Sequence, residues 1–173
     1  MLSNENIWTP VPKNKVSPQH ASNEKQQWVL VDDDEGDKLL FELAINELKI
    51  ECDLHYAEKG DTMFELLRHI TPDLIFLDLR LPGKSGISCL KMLRYQQRYD
   101  EVPIIIYSNG KNPSLIKDCY EAKANYYIIK PLTVPKICEA VNRVITTNWE
   151  AERYPSKENF LIEIEPQSQS IKF

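Results

Sequence analysis

The chain has 173 residues, 42% of them hydrophobic and 27% charged, as is typical of one soluble globular domain with tails. The net charge of −5 argues against nucleic acid as a direct partner, because phosphate binding depends on an excess of Lys and Arg. The sequence holds no run of 18 apolar residues to span a membrane, and its polar N-terminus lacks the apolar core of a secretory signal. We therefore expect a cytoplasmic protein without a membrane partner.

The cysteines support a reducing compartment. They are far apart in the sequence, form no CxxC pair and lie in apolar segments, at Cys52, Cys89, Cys119 and Cys138. This spacing favours buried, reduced thiols over disulfides or a zinc site.

Residues 1–25 are polar and rich in proline, so we expect a disordered N-terminal tail. Trp8 and Val11 are the candidate docking points within it. A different pattern begins at about residue 26, where we place the start of a domain that runs to residue 148. Residues 149–173 are assigned to a C-terminal tail.

Five short apolar runs predict five β-strands, at residues 28–31, 52–56, 74–77, 104–107 and 126–129. Segments with apolar residues at helical spacing separate them, and the last helix has a core stripe at Ile137, Ala140, Val141, Val144 and Ile145. Most of the strands are continuously apolar, which is typical of a parallel sheet covered on both faces. We therefore predict a doubly wound α/β fold with a five-stranded parallel sheet.

Beyond the last helix, Phe160, Ile162 and Ile164 alternate with other residues. This alternation is compatible with a short added strand or a docking peptide. A frayed tail is the other interpretation.

Polar residues follow four of the predicted strands. The first strand ends on Asp32, Asp33 and Asp34, and the others end on Asp78, Ser108 and Lys130. In parallel sheets the functional crevice lies beyond these carboxyl ends. Clustered carboxylates with a Lys and a hydroxyl suit Mg²⁺ and a phosphoryl group, and a carboxylate can accept that group covalently.

Structural interpretations compete for several of these residues. A third Asp before a helix, such as Asp34, is typically an N-terminal cap, and Glu35 and Asp37 are interpreted as solvated acids of the first turn. Ser108 as an ordinary loop hydroxyl stays open. A phosphate loop at Lys84 is excluded, because the glycine that such a loop requires five residues before the Gly-Lys-Ser is Asp78.

Five motif positions carry a resemblance to a known family: Asp32, Asp33, Asp78, Ser108 and Lys130. The Asp-Leu-Arg-Leu-Pro-Gly run from residue 78 and the proline after Lys130 extend it. Over roughly residues 25–148 the chain resembles the response-regulator receiver domain (chemotaxis-regulator-like), and most of all the single-domain type similar to phytochrome-associated regulators. The resemblance implies a flavodoxin-like sheet with strand order 2-1-3-4-5.

The resemblance also implies roles for the acidic residues. Asp78 would be the phosphoacceptor and a ligand of Mg²⁺. Asp33 would bind Mg²⁺ directly, and Asp32 largely through water. The backbone carbonyl of Arg80 would be a further ligand.

Three other residues receive roles by the same resemblance. Ser108 would be the switch hydroxyl, and Lys130 would pair with the phosphoryl group. Tyr127 would be the aromatic switch, whose rotamer follows the movement of Ser108. Tyr126 beside it could equally be a plain strand residue, since only one of the two can be the switch. The Lys130–Pro131 bond would be cis.

Two other functions compete with this one. Asp32-Asp33-Asp34 also fits the DxD motif of haloacid-dehalogenase-type phosphatases, but Gly36 departs from that pattern and Asp78 would have no role. A binding module that keeps the fold without phosphorylation usually loses the acidic pair, the phosphoacceptor or the lysine, all of which are present here.

The segment after Trp149 is too short for an output domain. We therefore expect a stand-alone response regulator, not an enzyme, that takes a phosphoryl group from a sensor histidine kinase or a phosphotransfer protein. Its signal would pass by protein–protein contact to an unknown downstream protein or to a second copy in a homodimer. By resemblance, the contact surface would be the last helix, the fifth strand and the helix before it.

Overall fold

The computed structural model of the protein describes residues 25–164, so the predicted N-terminal tail, with Trp8 and Val11, lies outside the described residues. Six strands form one parallel sheet: β1 Gln26–Val31, β2 Cys52–Ala57, β3 Leu74–Leu77, β4 Ile104–Ser108, β5 Tyr126–Ile129 and β6 Leu161–Ile162. Their order is β2-β1-β3-β4-β5-β6. The predicted order 2-1-3-4-5 is confirmed, and β6 is added beside β5.

Six helices accompany the strands: α1 Glu35–Glu47, α2 Gly60–Leu66, α3 Gly86–Arg94, α4 Pro113–Glu121, α5 Val134–Ile145 and α6 Lys157–Phe160. A 3₁₀ turn at Gln97–Tyr99 follows α3. Within residues 25–164, no helix has both the length and the apolar character needed to cross a membrane.

Both faces of the sheet are buried, which explains the continuous apolar strands. Val31, Leu77 and their neighbours face the core under α2, α3 and α4. Leu30 and Phe76, one residue earlier, face the core under α1 and α5. All four cysteines are free; Cys52 is half-buried, whereas the other three are buried as predicted.

The predicted cis bond at Lys130–Pro131 is wrong, because no peptide bond among residues 25–164 is cis. The trans isomer is the intrinsically favoured one before proline, by about 0.5–1 kcal/mol. The backbone N–H of Lys130 still donates to the carbonyl of Ser108 at 3.1 Å, so the residue is held at the end of β5 without a cis bond.

The guanidinium of Arg94, at the end of α3, ties several loops together. It donates to the carbonyls of Tyr99, Val102 and Lys123 at 2.6, 3.1 and 2.8 Å, and to Oδ1 of Asn125 at 2.6 Å. Burial lowers the pKa of Arg94, although the group stays charged. The planar fork of an arginine is what allows one side chain to satisfy four acceptors.

Asn125 extends this arrangement toward the C-terminal segment. Its Oδ1 also accepts from the backbone N–H of Ile104 at 2.7 Å, and its Nδ2 donates to the carbonyl of Arg153 at 2.5 Å. Arg153 in turn forms an ion pair with Glu101 at 2.6 Å. The starts of β4 and β5 and the segment after α5 are therefore held by one connected set of hydrogen bonds.

We expect Arg94→Ala to destabilise the fold by about 3 kcal/mol, because part-buried carbonyls and the Asn125 amide lose their donor. Arg94→Lys should recover only part of this loss, since an ammonium lacks the planar fork. Urea unfolding measures the free energy of unfolding of both variants. Arg68→Ala is the control: its ion pair with Glu65 is exposed, so a loss within about 1 kcal/mol is expected. Equal losses for Arg94→Ala and Arg68→Ala would contradict this assignment.

Candidate functional site

The carboxyl ends of four parallel strands bring the predicted residues together. Asp32 follows β1, Asp78 follows β3, Ser108 ends β4 and Lys130 follows β5. All four are buried, although polar residues are otherwise rare in the core. Buried polar groups are tolerated when they are paired with one another, as these four are.

The ammonium of Lys130 is the centre of the site. Its Nζ lies 2.7 Å from Oδ2 of Asp32, 2.8 Å from Oδ2 of Asp37 and 2.9 Å from Oδ2 of Asp78, and its side chain is only 2% exposed. Burial opposes the charge on Lys130, but its interactions with the three carboxylates outweigh the effect of burial and raise the pKa of Lys130 above the usual value. Two of its N–H groups donate hydrogen bonds to Asp37 and Asp78, whereas Asp32 is paired with it through charge.

Asp78 is held through both carboxylate oxygens. Oδ1 accepts from Ser108 Oγ at 2.6 Å, from the backbone N–H of Leu79 at 2.6 Å and from that of Arg80 at 3.2 Å. Oδ2 accepts from Lys130 at 2.9 Å. These contacts fix the plane of the carboxylate, and Ser108 is thus more than an unpaired loop hydroxyl.

Asp32 lies deepest of the carboxylates, with a side chain that is 1% exposed. Burial raises the pKa of Asp32 above its usual value, against the opposing effect of Lys130. Its Oδ1 accepts from the backbone N–H of Asp34 at 3.1 Å. The ion pair with Lys130 therefore offsets only part of the cost of burying this carboxylate.

Asp32, Asp33 and Asp78 each place one carboxylate oxygen within 4.8 Å of the others. Asp33 is exposed, so this acidic trio opens toward solvent. Carboxylates this close repel one another, and a hard divalent cation that keeps several waters is the group that such a set of oxygens fits. The donor chemistry therefore fits the predicted Mg²⁺.

The acids of the first turn of α1 have different environments. Asp34 caps the helix, as predicted: its Oδ1 accepts from the backbone N–H groups of Asp37 and Gly36 at 3.0 and 2.8 Å, which lowers the pKa of Asp34. Asp37 was expected to be solvated, and that prediction is wrong because it forms an ion pair with Lys130. The sequence carries no local signal for this contact, because Lys130 lies 93 positions further along the chain.

The two neighbouring tyrosines of β5 face opposite sides of the sheet. Tyr126 packs against Trp149, with ring centroids 5.6 Å apart. Tyr127 is fully buried, and its hydroxyl donates to the carbonyl of Gly110, two residues after Ser108, at 2.8 Å. Burial raises the pKa of Tyr127 to about 12, so its hydroxyl stays protonated. Tyr127 is therefore the tyrosine connected to the loop that follows Ser108.

A glycine at the start of α3 also shapes the site. A Cβ at Gly86 would lie 2.0 Å from the carbonyl oxygen of Asp78, which no side chain can occupy. The backbone N–H of Gly86 donates to the carbonyl of Leu79 at 3.0 Å. Glycine thus lets the helix begin directly against the backbone of Asp78.

The profile of the family described as "Response regulator receiver domain" matches residues 29–142, about two thirds of the chain. The chain belongs to this family. The resemblance drawn from the motif residues is thereby confirmed. Receiver domains are signalling modules of two-component systems, and that is the general function of this chain.

Curated relatives agree with this placement. The transcriptional regulator NtrC of Klebsiella pneumoniae is 28% identical over 126 residues, which are 73% of this chain and 26% of NtrC. The chain thus spans about a quarter of the NtrC relatives that it matches. The chemotaxis protein CheY of Bacillus subtilis is 30% identical over 89 residues, 51% of this chain and 72% of CheY.

Solved structures of similar shape include two response regulators. The phosphorylated cyanobacterial phytochrome response regulator RcpA has a TM-score of 0.67 and 24% identity, covering 77% of this chain and 100% of that one. The Mn²⁺-bound form of Rcp1 has a TM-score of 0.64 and 22% identity, covering 76% and 99%. At 24% and 22% identity, this similarity establishes the fold alone.

We expect Mg²⁺ to stabilise the folded protein. At ten times its Kd the ion should raise the free energy of unfolding by about 1.4 kcal/mol, because it binds a site that only the folded chain forms. Asp33→Asn removes one carboxylate of the acidic trio and should weaken this gain. Glu35→Gln, an exposed acid outside the trio, should keep it. Thermal unfolding with Mg²⁺ or EDTA measures all three proteins. An equal gain in Asp33→Asn would show that the trio does not bind the ion.

Proposed function

We propose that the chain is a phosphorylation switch in which Asp78 accepts a phosphoryl group from a sensor histidine kinase or a phosphotransfer protein. The observation that carries this proposal is the pairing of the Asp78 carboxylate with Lys130 and Ser108, at 2.9 and 2.6 Å. In the transfer, a bond forms between a carboxylate oxygen of Asp78 and phosphorus while the bond from phosphorus to the donor's histidine nitrogen breaks. A buried, oriented carboxylate is suited to this in-line attack.

We assign Mg²⁺ binding to Asp32, Asp33, Asp78 and the backbone carbonyl of Arg80. When bound, the ion supplies positive charge that lowers the cost of bringing a phosphoryl group to a cluster of carboxylates. The Mn²⁺ bound in the structure of Rcp1 supports a divalent-ion site in a protein of this shape. The spacing of the acidic trio supports the same assignment for this chain.

Lys130 and Ser108 supply the remaining contacts. Lys130, whose ammonium stays charged, is placed to neutralise phosphoryl oxygens on Asp78. Ser108 Oγ is within hydrogen-bond distance of Asp78 and can transfer its bond to the phosphoryl group with a small movement. Asp37 lies outside the acidic trio, so it can keep its pair with Lys130 when the other carboxylates change partners.

We propose that the chain acts as a stand-alone regulator, as its alignment with the whole of the RcpA chain supports. Its output would then be protein–protein contact rather than catalysis or nucleic-acid binding, in accord with the net charge of −5. A cytoplasmic location follows from the kinase partner. The downstream partner is a second protein or a second copy of the chain.

Asp78→Asn should abolish labelling by radioactive acetyl phosphate in the presence of Mg²⁺, because an amide is not a nucleophile for phosphorus. The wild type should be labelled, and EDTA should remove the labelling. Asp118→Asn, an exposed acid of α4, is the matched control and should be labelled like the wild type. Unchanged labelling of Asp78→Asn would exclude this residue as the acceptor.

The phosphatase alternative has its own test. Turnover of para-nitrophenyl phosphate by the wild type would favour it, whereas a phosphorylated Asp78 that persists for minutes would exclude rapid turnover. The phosphatase alternative leaves Asp78 without a role, whereas the contacts of Asp78 with Lys130 and Ser108 support a role as acceptor.

Size-exclusion chromatography with and without acetyl phosphate tests a second copy as the partner. If phosphorylation drives dimerisation, the protein should elute at twice its mass of 20.1 kDa only when labelled. Asp78→Asn is the control and should elute as a monomer under both conditions. Identical elution of the labelled and unlabelled wild type would assign the output to a different protein.

A further inference from the structure

The segment that follows α5 returns to the sheet and lies along β5. We call residues 157–164, which comprise α6, β6 and the two residues after it, the C-terminal strap. Leu161 pairs with Tyr127 and Ile162 with Ile128, in parallel register. The strap therefore occupies the hydrogen-bonding edge that β5 would otherwise expose.

Phe160 of the strap covers Tyr127. The two ring centroids are 6.4 Å apart at an interplanar angle of 64°, and Phe160 also meets Tyr120 of α4 edge-on at 5.2 Å. Phe160 is 2% exposed and Tyr127 is fully buried. Tyr127 therefore cannot turn outward toward solvent on this side unless Phe160 moves.

The strap also contacts the loop after β4. Glu163 Oε1 lies 3.2 Å from Nζ of Lys111, and the neighbouring Gly110 accepts the hydrogen bond from Tyr127. The ion pair is exposed and contributes little to stability by itself. It nevertheless places the strap, Tyr127 and the loop after Ser108 in one continuous set of contacts.

We propose that the strap holds Tyr127 in its buried position and thereby favours the arrangement in which Ser108 donates to Asp78. Phe160 is the positioning residue: it contacts Tyr127, the Tyr127 hydroxyl donates to Gly110 in the loop after Ser108, and Ser108 donates to Asp78. This inference rests on the proposed function, because it concerns the regulation of phosphorylation at Asp78.

The coupling must be reciprocal. If docking of the strap favours the arrangement that a phosphoryl group on Asp78 requires, then a phosphoryl group must favour docking of the strap by the same factor. The C-terminal strap then regulates the site, and the stability of its docking depends on whether Asp78 is phosphorylated.

The effect of the strap on the site can be tested with beryllofluoride, which mimics the phosphoryl group in the presence of Mg²⁺. We expect Phe160→Ala in the full-length chain to bind it about fivefold more weakly than the wild type, the lower end of typical couplings between sites. Phe160→Leu, which keeps apolar volume over Tyr127, should recover part of the affinity. Val144→Ala, a core truncation on the opposite face of the sheet, should lower stability without changing the affinity.

The effect of the site on the strap can be tested by hydrogen exchange of the wild type, without any substitution. Beryllofluoride with Mg²⁺ should slow amide exchange at residues 160–164, whereas Mg²⁺ alone should not. Equal affinities of the wild type and Phe160→Ala, or exchange in the strap that beryllofluoride leaves unchanged, would overturn the inference. A wild type that binds no beryllofluoride would instead overturn the proposed function itself, so the two failures are distinguishable.

Discussion

The buried ammonium of Lys130 among three carboxylates is the interaction on which the site depends. A lysine that is 2% exposed is stable as a cation only where carboxylates are held beside it, and its charge in turn offsets the crowding of the carboxylates of Asp32, Asp37 and Asp78. The sheet determines this geometry. Val31 pairs with Leu77 in register, so the aspartates after them lie side by side, and a slip of one residue would separate them.

The parts of the structure that the sequence predicted are those with a repeated local signal. Four continuously apolar runs identify strands that are buried on both faces, and the polar residue that ends each run identifies a position at one edge of a parallel sheet. Asp32, Asp78, Ser108 and Lys130 meet in the structure for this reason. Asp34 was also predictable as a cap, since capping depends only on its own first turn.

The remaining features depend on contacts between residues that are far apart in the chain. Asp37 and Lys130 are 93 positions apart, and nothing in the first turn of α1 distinguishes Asp37 from a solvated acid. The four acceptors of Arg94 are likewise visible only once the loops are folded. Strand β6 has two residues, too few for alternation to separate a strand from a tail, and its position comes from the burial of Phe160 and Ile162 on opposite faces.

The strap changes what the expected contact surface can be. The sequence resemblance placed it on α4, β5 and α5, but β5 is an inner strand here, with its backbone paired to β6 and Tyr127 beneath Phe160. A partner that approaches this side of the sheet meets the C-terminal strap first, and it must either bind the strap or displace it. Displacement would expose Phe160 and Ile162 to water, which opposes it. As long as the strap stays docked, it forms part of any surface that is contacted on this side of the sheet.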